Sequence, residues 1–465
     1  MPHRCRSLVA AVIALVVAVA ACTSNGNAPD TESTGGEVSL FDSAVVHRIE
    51  VSFDNDDYDA MTKAYTDNGT KEWIEATVKI DGTTYQRAGM RLKGNSSLGG
   101  LRGGFGGARQ PQGQAPNERN GGGIGSASAD TPEGLPWLIR LDEFVQGQAH
   151  QGYEDIVVRS NGSKTSLNEA VALDLLEEAG LVSQKAAATS FRVNGGAAVL
   201  RLAIEHPDDD AWQEENFEGD GALYKAESTG DWSYRGDDPA AYEEVWDQEG
   251  GSKVTDLKPL MEFLQYLNDS DDPTFANTLR DRLDVDAFAR YLAMMDLVAN
   301  TDDIDGPGNN AYLWYDVTTK KFTVVAWDLN LAFGALGGGG QGGGMPPNGF
   351  AGGQPPEGFR PPEGFQPPEG FQQGRSPGVG QQPGGGAGGF GRSNVLVKRF
   401  HANTEFEALH QTQLTDLRAK LYGGEVADGA LASWVGTLTN HAADLVDAAT
   451  INLEAESISK HFTTS

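Results

Sequence analysis

Two glycine-rich tracts set the limits on how this chain can pack. Residues 98–129 and 335–392 hold more than half of its 60 glycines. Neither tract carries enough apolar surface to offset the entropy of ordering it, so both are expected as disordered insertions. The second repeats Pro-Pro-Glu-Gly-Phe at 355–359, 361–365 and 367–371, the composition of an extended, partly polyproline spacer. Patterned sequence resumes after it, from Ser393 to Phe462, so the pieces on either side belong to one folded domain. That domain covers 38–334 and 393–465. Its apolar content is diluted by the glycines to 39% over the whole chain, yet enough remains to build a core.

The first 37 residues read as targeting sequence. Arg4 and Arg6 precede an apolar run from Leu8 to Ala21, short for a membrane span and suited to a signal peptide. The run ends Val19-Ala-Ala-Cys22, which resembles a bacterial lipobox, so residues 1–21 are expected to leave and Cys22 to carry lipid. Residues 22–37 then form a polar tether. The only other cysteine is Cys5. The exported domain is left with no disulfide and no thiol nucleophile. The expected location is the outer face of the cell membrane, with contact to the membrane through lipidated Cys22.

A net charge of −31 argues against nucleic acid as a partner, because phosphate backbones need a basic face. Dense acidity suits divalent cations better. The histidines have no paired spacing and give no zinc motif.

Alternation predicts strands over 45–53, 73–80, 83–92, 135–142, 156–159, 191–193, 197–204 and 223–227. Helical patterns cover 54–64, 166–180, 257–268 and 285–300, with Ser166 and Glu169 spaced as a capping box. The Leu283–Gly334 stretch carries the chemistry. A helix runs into the acid-rich loop Thr301-Asp-Asp-Ile-Asp-Gly-Pro-Gly-Asn-Asn310. Strand patterns at 311–316 and 321–327 follow, and the segment closes Trp327-Asp-Leu-Asn-Leu-Ala-Phe-Gly334. Carboxylates and amides at one helix end, with a further Asp past a hairpin, can hold a hard cation. They also follow the order of parts in a phosphoryl-transfer site. Asp328 is the leading metal ligand, with Asn309 and Asn310 beside it. Asp305 stands five residues before Asn310, the spacing of a kinase catalytic loop. Arg140, on a strand before the helix bearing Glu169, fits the cation–glutamate pair that steadies phosphates. Lys93 can cradle phosphates from its turn, and Lys225 and Glu205 are further nucleotide-side candidates. Trp314 and Trp327 read as core.

Taken in order, Gly89-Met-Arg-Leu-Lys-Gly-Asn-Ser-Ser97, Trp137-Leu-Ile-Arg-Leu-Asp142, Arg159-Ser-Asn161, Val193-Asn-Gly195 through Glu205, and Asn300-Thr-Asp302 through Trp327-Asp328 to Phe333-Gly334 resemble the CotH kinase family. The resemblance spans Val46 to Phe462. It implies an α+β, atypical protein-kinase-like two-lobed fold, ATP with Mg²⁺ or Mn²⁺, and Ser/Thr phosphorylation of exported or surface proteins. It matches Asp302 to the family's Asn-x-Asp, which leaves Asp302 and Asp305 both open as the base. Asn330 stands where some members carry a second Asp. The other reading is a kinase-fold lipoprotein that has lost its chemistry and serves as a binding or scaffold module. Glycosidase chemistry fits less well, because it needs two acids facing each other across an open cleft.

Replacing Cys22 with alanine is expected to move the protein from the membrane pellet to the soluble fraction after ultracentrifugation. Unchanged pelleting would sink the lipid-anchor reading.

Overall fold

Inward-facing residues of seven strands close a barrel in the first half of the chain. A computed structural model describes residues 38–102, 127–160, 162–227, 230–251, 254, 256–300, 302–304, 310–337 and 394–463. The signal segment, Cys22, Asn161, Asp305, Asn309, most of the first glycine tract and nearly all of the second lie outside these residues.

Strand β1 (Val46–Phe53) buries Ile49 and Val51. Helix α1 (Asn55–Asn68) follows, capped by the Asp54 side chain on Asp56 N and stopped by Gly69. Strands β2 (Ile74–Ile80) and β3 (Thr83–Leu92) are joined by Asp81-Gly82, both at positive φ as a tight hairpin turn needs. Then come β4 (Trp137–Arg140), β5 (Asp155–Val158), helix α2 (Leu167–Glu178), β6 (Ala186–Val193) and β7 (Val199–Ile204). The strand order is β1-β2-β3-β4-β5-β7-β6, and β6 closes on β1 in parallel. Closure leaves no free sheet edge. Ile49, Val78, Met90, Ile139, Ile156 and Phe191 fill the barrel.

The rest of the chain is a four-stranded antiparallel sheet wrapped by helices. Helix α3 (Asp210–Asn216), strands β8 (Gly221–Ala226) and β9 (Trp246–Gly251), and helices α4 (Lys258–Asp269), α5 (Asp272–Thr278) and α6 (Val285–Leu297) precede the hairpin β10 (Ala311–Asp316) and β11 (Phe322–Ala326). The sheet order is β11-β10-β8-β9. After the second tract come α7 (Val395–Ala402), α8 (Thr404–Leu421), α9 (Val426–His441) and α10 (Ala448–Thr463). Helix α8 packs on α6, and α9 packs on α2. Residues on both sides of the tract thus share one core. The fold is α+β. Among the described residues no helix is long and apolar enough to cross a membrane.

Several local expectations differ from what forms. Leu98 is fully buried in a 3-10 turn at Ser96–Arg102, so the first tract is tied into the core at its start. Ser166 sits at φ 56 and makes no side-chain cap. Thr165 Oγ1 accepts from Leu167 N at 3.2 Å instead, and Glu169 is drawn inward by a buried cation rather than back to the helix start. Helices α3 and α5 and strand β9 were not foreseen. β9 is polar (Trp-Asp-Gln-Glu-Gly-Gly) and lacks the apolar alternation that marks a strand.

Trp314 stacks on Phe217 with centroids 4.3 Å apart. A Cβ added at Gly221, on the strand paired with β10, would sit 2.1 Å from the Trp314 ring. Gly221→Ala is therefore expected to destabilise the domain by about 1–3 kcal/mol through overpacking, measured as a lower midpoint in denaturant. An unchanged midpoint would contradict this packing.

Candidate functional site

The end of the β10–β11 hairpin carries the acid and amide residues singled out in the sequence. Ala311 pairs with Ala326, so Asn310 and Trp327-Asp328 leave the sheet at the same end. Asp328 adopts φ 64, a left-handed conformation that Asp tolerates better than most residues. The acid loop reaches this end from α6. The helix closes with Ala299 at φ 49 and buried Asn300. Asn310 Nδ2 then donates to the Asp302 carbonyl at 2.6 Å. Burial, and then the charge of Asp328, raise the Asp302 carboxyl above its ordinary range. Asp302, Asn310 and Asp328 are thus brought together.

A buried cation reaches the same point from the barrel. Arg159 follows β5 and is 9% exposed. Its guanidinium meets Glu169 of α2 at 2.9 Å and hydrogen-bonds Asp328. It also lies over the Trp327 ring, 5.8 Å from the centroid. This corrects the expected pairing of Arg140 with Glu169. Arg140 instead grips Asp155 through two hydrogen bonds of 2.7 Å. The reason is register: Arg140 lies opposite Asp155 in the β4–β5 ladder, while Glu169 extends from α2 toward the end of β5.

Lys93, just past β3, reaches inward from its turn. Its Nζ lies 2.6 Å from His206 Nε2, 3.8 Å from Asp208 and 5.7 Å from the Trp327 centroid. His206 is fully buried between Asp155 at 2.8 Å and Asp208 at 3.0 Å. Burial opposes its charge, but Asp208 first and Asp155 after it raise its pKa above the ordinary histidine value. Burial likewise opposes ionised Asp208, yet His206 and Lys93 hold it well below the usual carboxylate range. Asp208 was not singled out in the sequence. It sits in the run His206-Pro-Asp-Asp-Asp210, which reads as a plain acidic turn.

Lys225 on β8 lies opposite Tyr312, with Nζ 5.0 Å from that ring's centroid. Burial first, and then Lys93, lower its pKa to about 8. Glu205 is buried and accepts from Tyr153 Oη at 2.8 Å and Lys185 N at 2.7 Å. On the neighbouring strand, Asp247 lies opposite Lys225, and Asp247 and Glu249 form a carboxylate cluster with Glu227. Burial and then Asp208 push Glu249 up to about 7. Burial and then Glu227 push Asp247 up to about 6.

Chemically, the arrangement presents hard oxygen donors at one point and half-buried lysines beside it. Such a site can hold a divalent cation together with a polyanion. The family model described as CotH kinase protein matches residues 125–440. Lys93 and the first three strands precede the matched segment. No curated protein matches the chain.

A lysine with a depressed folded-state pKa weakens folding where it is charged. For Lys225 the penalty is complete below about pH 8 and fades as pH rises toward the unfolded value of 10.5. Lys225→Met is therefore expected to be more stable than wild type below pH 8, by at most about 3 kcal/mol. The gain should vanish near pH 10.5. Chemical denaturation at pH 6, 8 and 10 measures it, and a gain that does not shrink with pH would refute the assignment.

Proposed function

The chain belongs to the CotH kinase family, and from that premise we propose that it is an exported atypical protein kinase. In this reading it transfers the γ-phosphate of ATP, with Mg²⁺ or Mn²⁺, to Ser or Thr of surface or secreted proteins. Lipid at Cys22 tethers it to the outer face of the membrane. The barrel would correspond to the nucleotide-covering lobe of a two-lobed kinase, and the sheet with its helices to the other.

The observation that carries this reading is the meeting of Asp302, Asn310 and Asp328 at one hairpin end. Of these, Asp328 and Asn310 offer a carboxylate and an amide oxygen, donors that fit Mg²⁺ or Mn²⁺. Two acids held close together also favour a cation between them. Asp328 and Asn310 would hold the ion. Lys225 and Lys93 would bind phosphate oxygens. When bound, ion and nucleotide supply the transferable phosphoryl group and neutralise its developing charge.

The protein's own residues then have distinct tasks. Asp302 orients the attacking hydroxyl and takes its proton. Its raised pKa moves it toward the operating pH, as a general base requires. Asp305 holds the same claim by its spacing to Asn310. Arg159 fixes Asp328 from behind and keeps Glu169 in register, so the metal-side carboxylate is positioned before any ligand arrives. The same ion pair favours the second reading, a scaffold in which Asp328 is purely structural.

The test uses purified protein, γ-labelled ATP and Mn²⁺. Wild type is expected to label itself or an exported acceptor, and Asp328→Ala to lose at least about a hundredfold of that rate. Asp302→Asn should keep metal-dependent nucleotide binding while losing transfer. Retained transfer in that variant would assign the base to Asp305. Equal labelling by Asp328→Ala, or no labelling by wild type, would defeat the kinase reading in favour of the scaffold.

A further inference from the structure

Away from the hairpin end, the turn from α7 to α8 gathers two histidines and a glutamate. Asn403 ends α7 and starts α8, its side chain accepting from Glu405 N at 3.0 Å and Phe406 N at 3.1 Å. The chain therefore folds back sharply, and buried Phe400 stacks on buried Phe406 with centroids 5.0 Å apart. That packing fixes the angle between the two helices and swings His401 over the second turn of α8. His401 Nδ1 lies 2.6 Å from Glu407 Oε2. His410 Nδ1 lies 3.9 Å from the same oxygen. The two imidazole rings face each other edge-on, centroids 5.0 Å apart. One ligand-capable atom from each of the three residues falls within 4.8 Å of the others.

The His401–Glu407 ion pair alone does not account for His410. That residue is 3% exposed, and its Nε2 makes no hydrogen bond. It lies 3.1 Å from Asp296 Oδ2 of α6, outside hydrogen-bond geometry. At the other nitrogen, Gln411 Nε2 approaches Nδ1 at 3.4 Å. With Nδ1 as acceptor of that contact the ring proton sits on Nε2, toward Asp296, and a metal taking the Nδ1 lone pair displaces the Gln411 amide. A small ring rotation would bring Nε2–H into line with Asp296, the arrangement by which metal-binding histidines are oriented. Gln411 Nε2 also donates to Glu407 Oε1 at 2.8 Å, which steadies the carboxylate.

We propose that His401 Nδ1, Glu407 and His410 Nδ1 form a binding site for a borderline transition-metal cation of the Zn²⁺ class, with Asp296 as the positioning residue behind His410. Two imidazoles and one carboxylate suit Zn²⁺ and disfavour Mg²⁺ or Ca²⁺. Bonds of about 2.0–2.2 Å in a tetrahedron place ligand atoms roughly 3.3 Å apart. The 2.6 and 3.9 Å separations straddle that value, so small side-chain rotations complete the shell. The His401 side chain is 38% exposed and that of Glu407 36%, leaving the fourth position to water. The inference does not depend on the proposed kinase activity.

The test measures Zn²⁺ affinity of chelator-treated, full-length protein by competition with a chromophoric chelator, in an Asp328→Ala background so that the hairpin end contributes no tight site. One Zn²⁺ per chain is expected, undisturbed by excess Mg²⁺. His401→Ala, at a partly exposed position whose loss leaves the fold intact, should weaken binding by about a hundredfold or more, and Asp296→Asn by about tenfold. Zn²⁺ should also raise the thermal midpoint of the parent but not of His401→Ala. Affinity unchanged in both His401→Ala and Glu407→Gln, or Zn²⁺ fully displaced by Mg²⁺, would overturn the proposal.

Discussion

One buried guanidinium joins the parts of this molecule. Arg159 leaves the barrel at the end of β5, meets Glu169 on α2 and reaches Asp328 past the hairpin. Removing Arg159 would leave two carboxylates, Glu169 and Asp328, with no cation between them, which costs several kcal/mol. The triad is poor evidence for net stability, since an apolar replacement of all three can do as well. What it does is fix geometry. Barrel, helix and hairpin each bring one member, so the carboxylate of Asp328 cannot drift without breaking contacts in two other elements. Trp327 lies beneath, with Arg159 and Lys93 each within 6 Å of its ring.

This arrangement also reconciles an acidic chain with a polyanionic ligand. The net charge of −31 would repel a nucleotide at long range. Around Trp327 and the neighbouring Tyr312 ring, however, Lys93, Arg159 and Lys225 converge, and each is held by burial or by an aromatic face. Carboxylates such as Asp208 keep the cluster from flying apart. Burial first, and the nearby charge of Lys93 second, depress the pKa of Lys225. A bound phosphate would relieve the crowding of these cations, just as a divalent ion would relieve the crowding of Asp302 and Asp328. The two kinds of strain are adjacent and opposite in sign, which suits a metal–polyanion pair better than either alone.

Much of this was legible in the sequence where short-range chemistry decides the structure. The strands of 311–316 and 321–327, the Asn194-Gly195 turn at φ 48 and 70, and the burial of Trp314 and Trp327 all follow from alternation and turn residues. What could not be read depends on register and on contacts distant in the chain. The Arg140–Glu169 pairing followed from element order, but strand register put Asp155 opposite Arg140. Arg159 stood in a quoted motif, yet nothing local assigns it two partners 10 and 169 residues away. Strand β9 hid because its outward carboxylates break the apolar alternation. His401 and His410 showed no motif because their ligand geometry is made by a helix break at Asn403, and a spacing rule for a continuous helix does not describe it.

The helix α6 runs between the two proposed metal sites. It is capped at its start by Asp284 on Ala287 N. Near its end, Asp296 faces His410, and only six residues later Asp302 accepts the Asn310 hydrogen bond. The backbone from 296 to 300 is tightly held. Val298 N closes on Met294 O, Asn300 N closes on Met295 O, and buried Tyr291 accepts from Ile304 N at 3.4 Å. A side chain that fixes Asp296 therefore acts on the last turn of the helix that presents the proposed base. Packed helices transmit small displacements because their interiors are dense. A cation joining α7 to α8 would stiffen the surface against which α6 lies, and its effect at Asp302 would be on position rather than on charge.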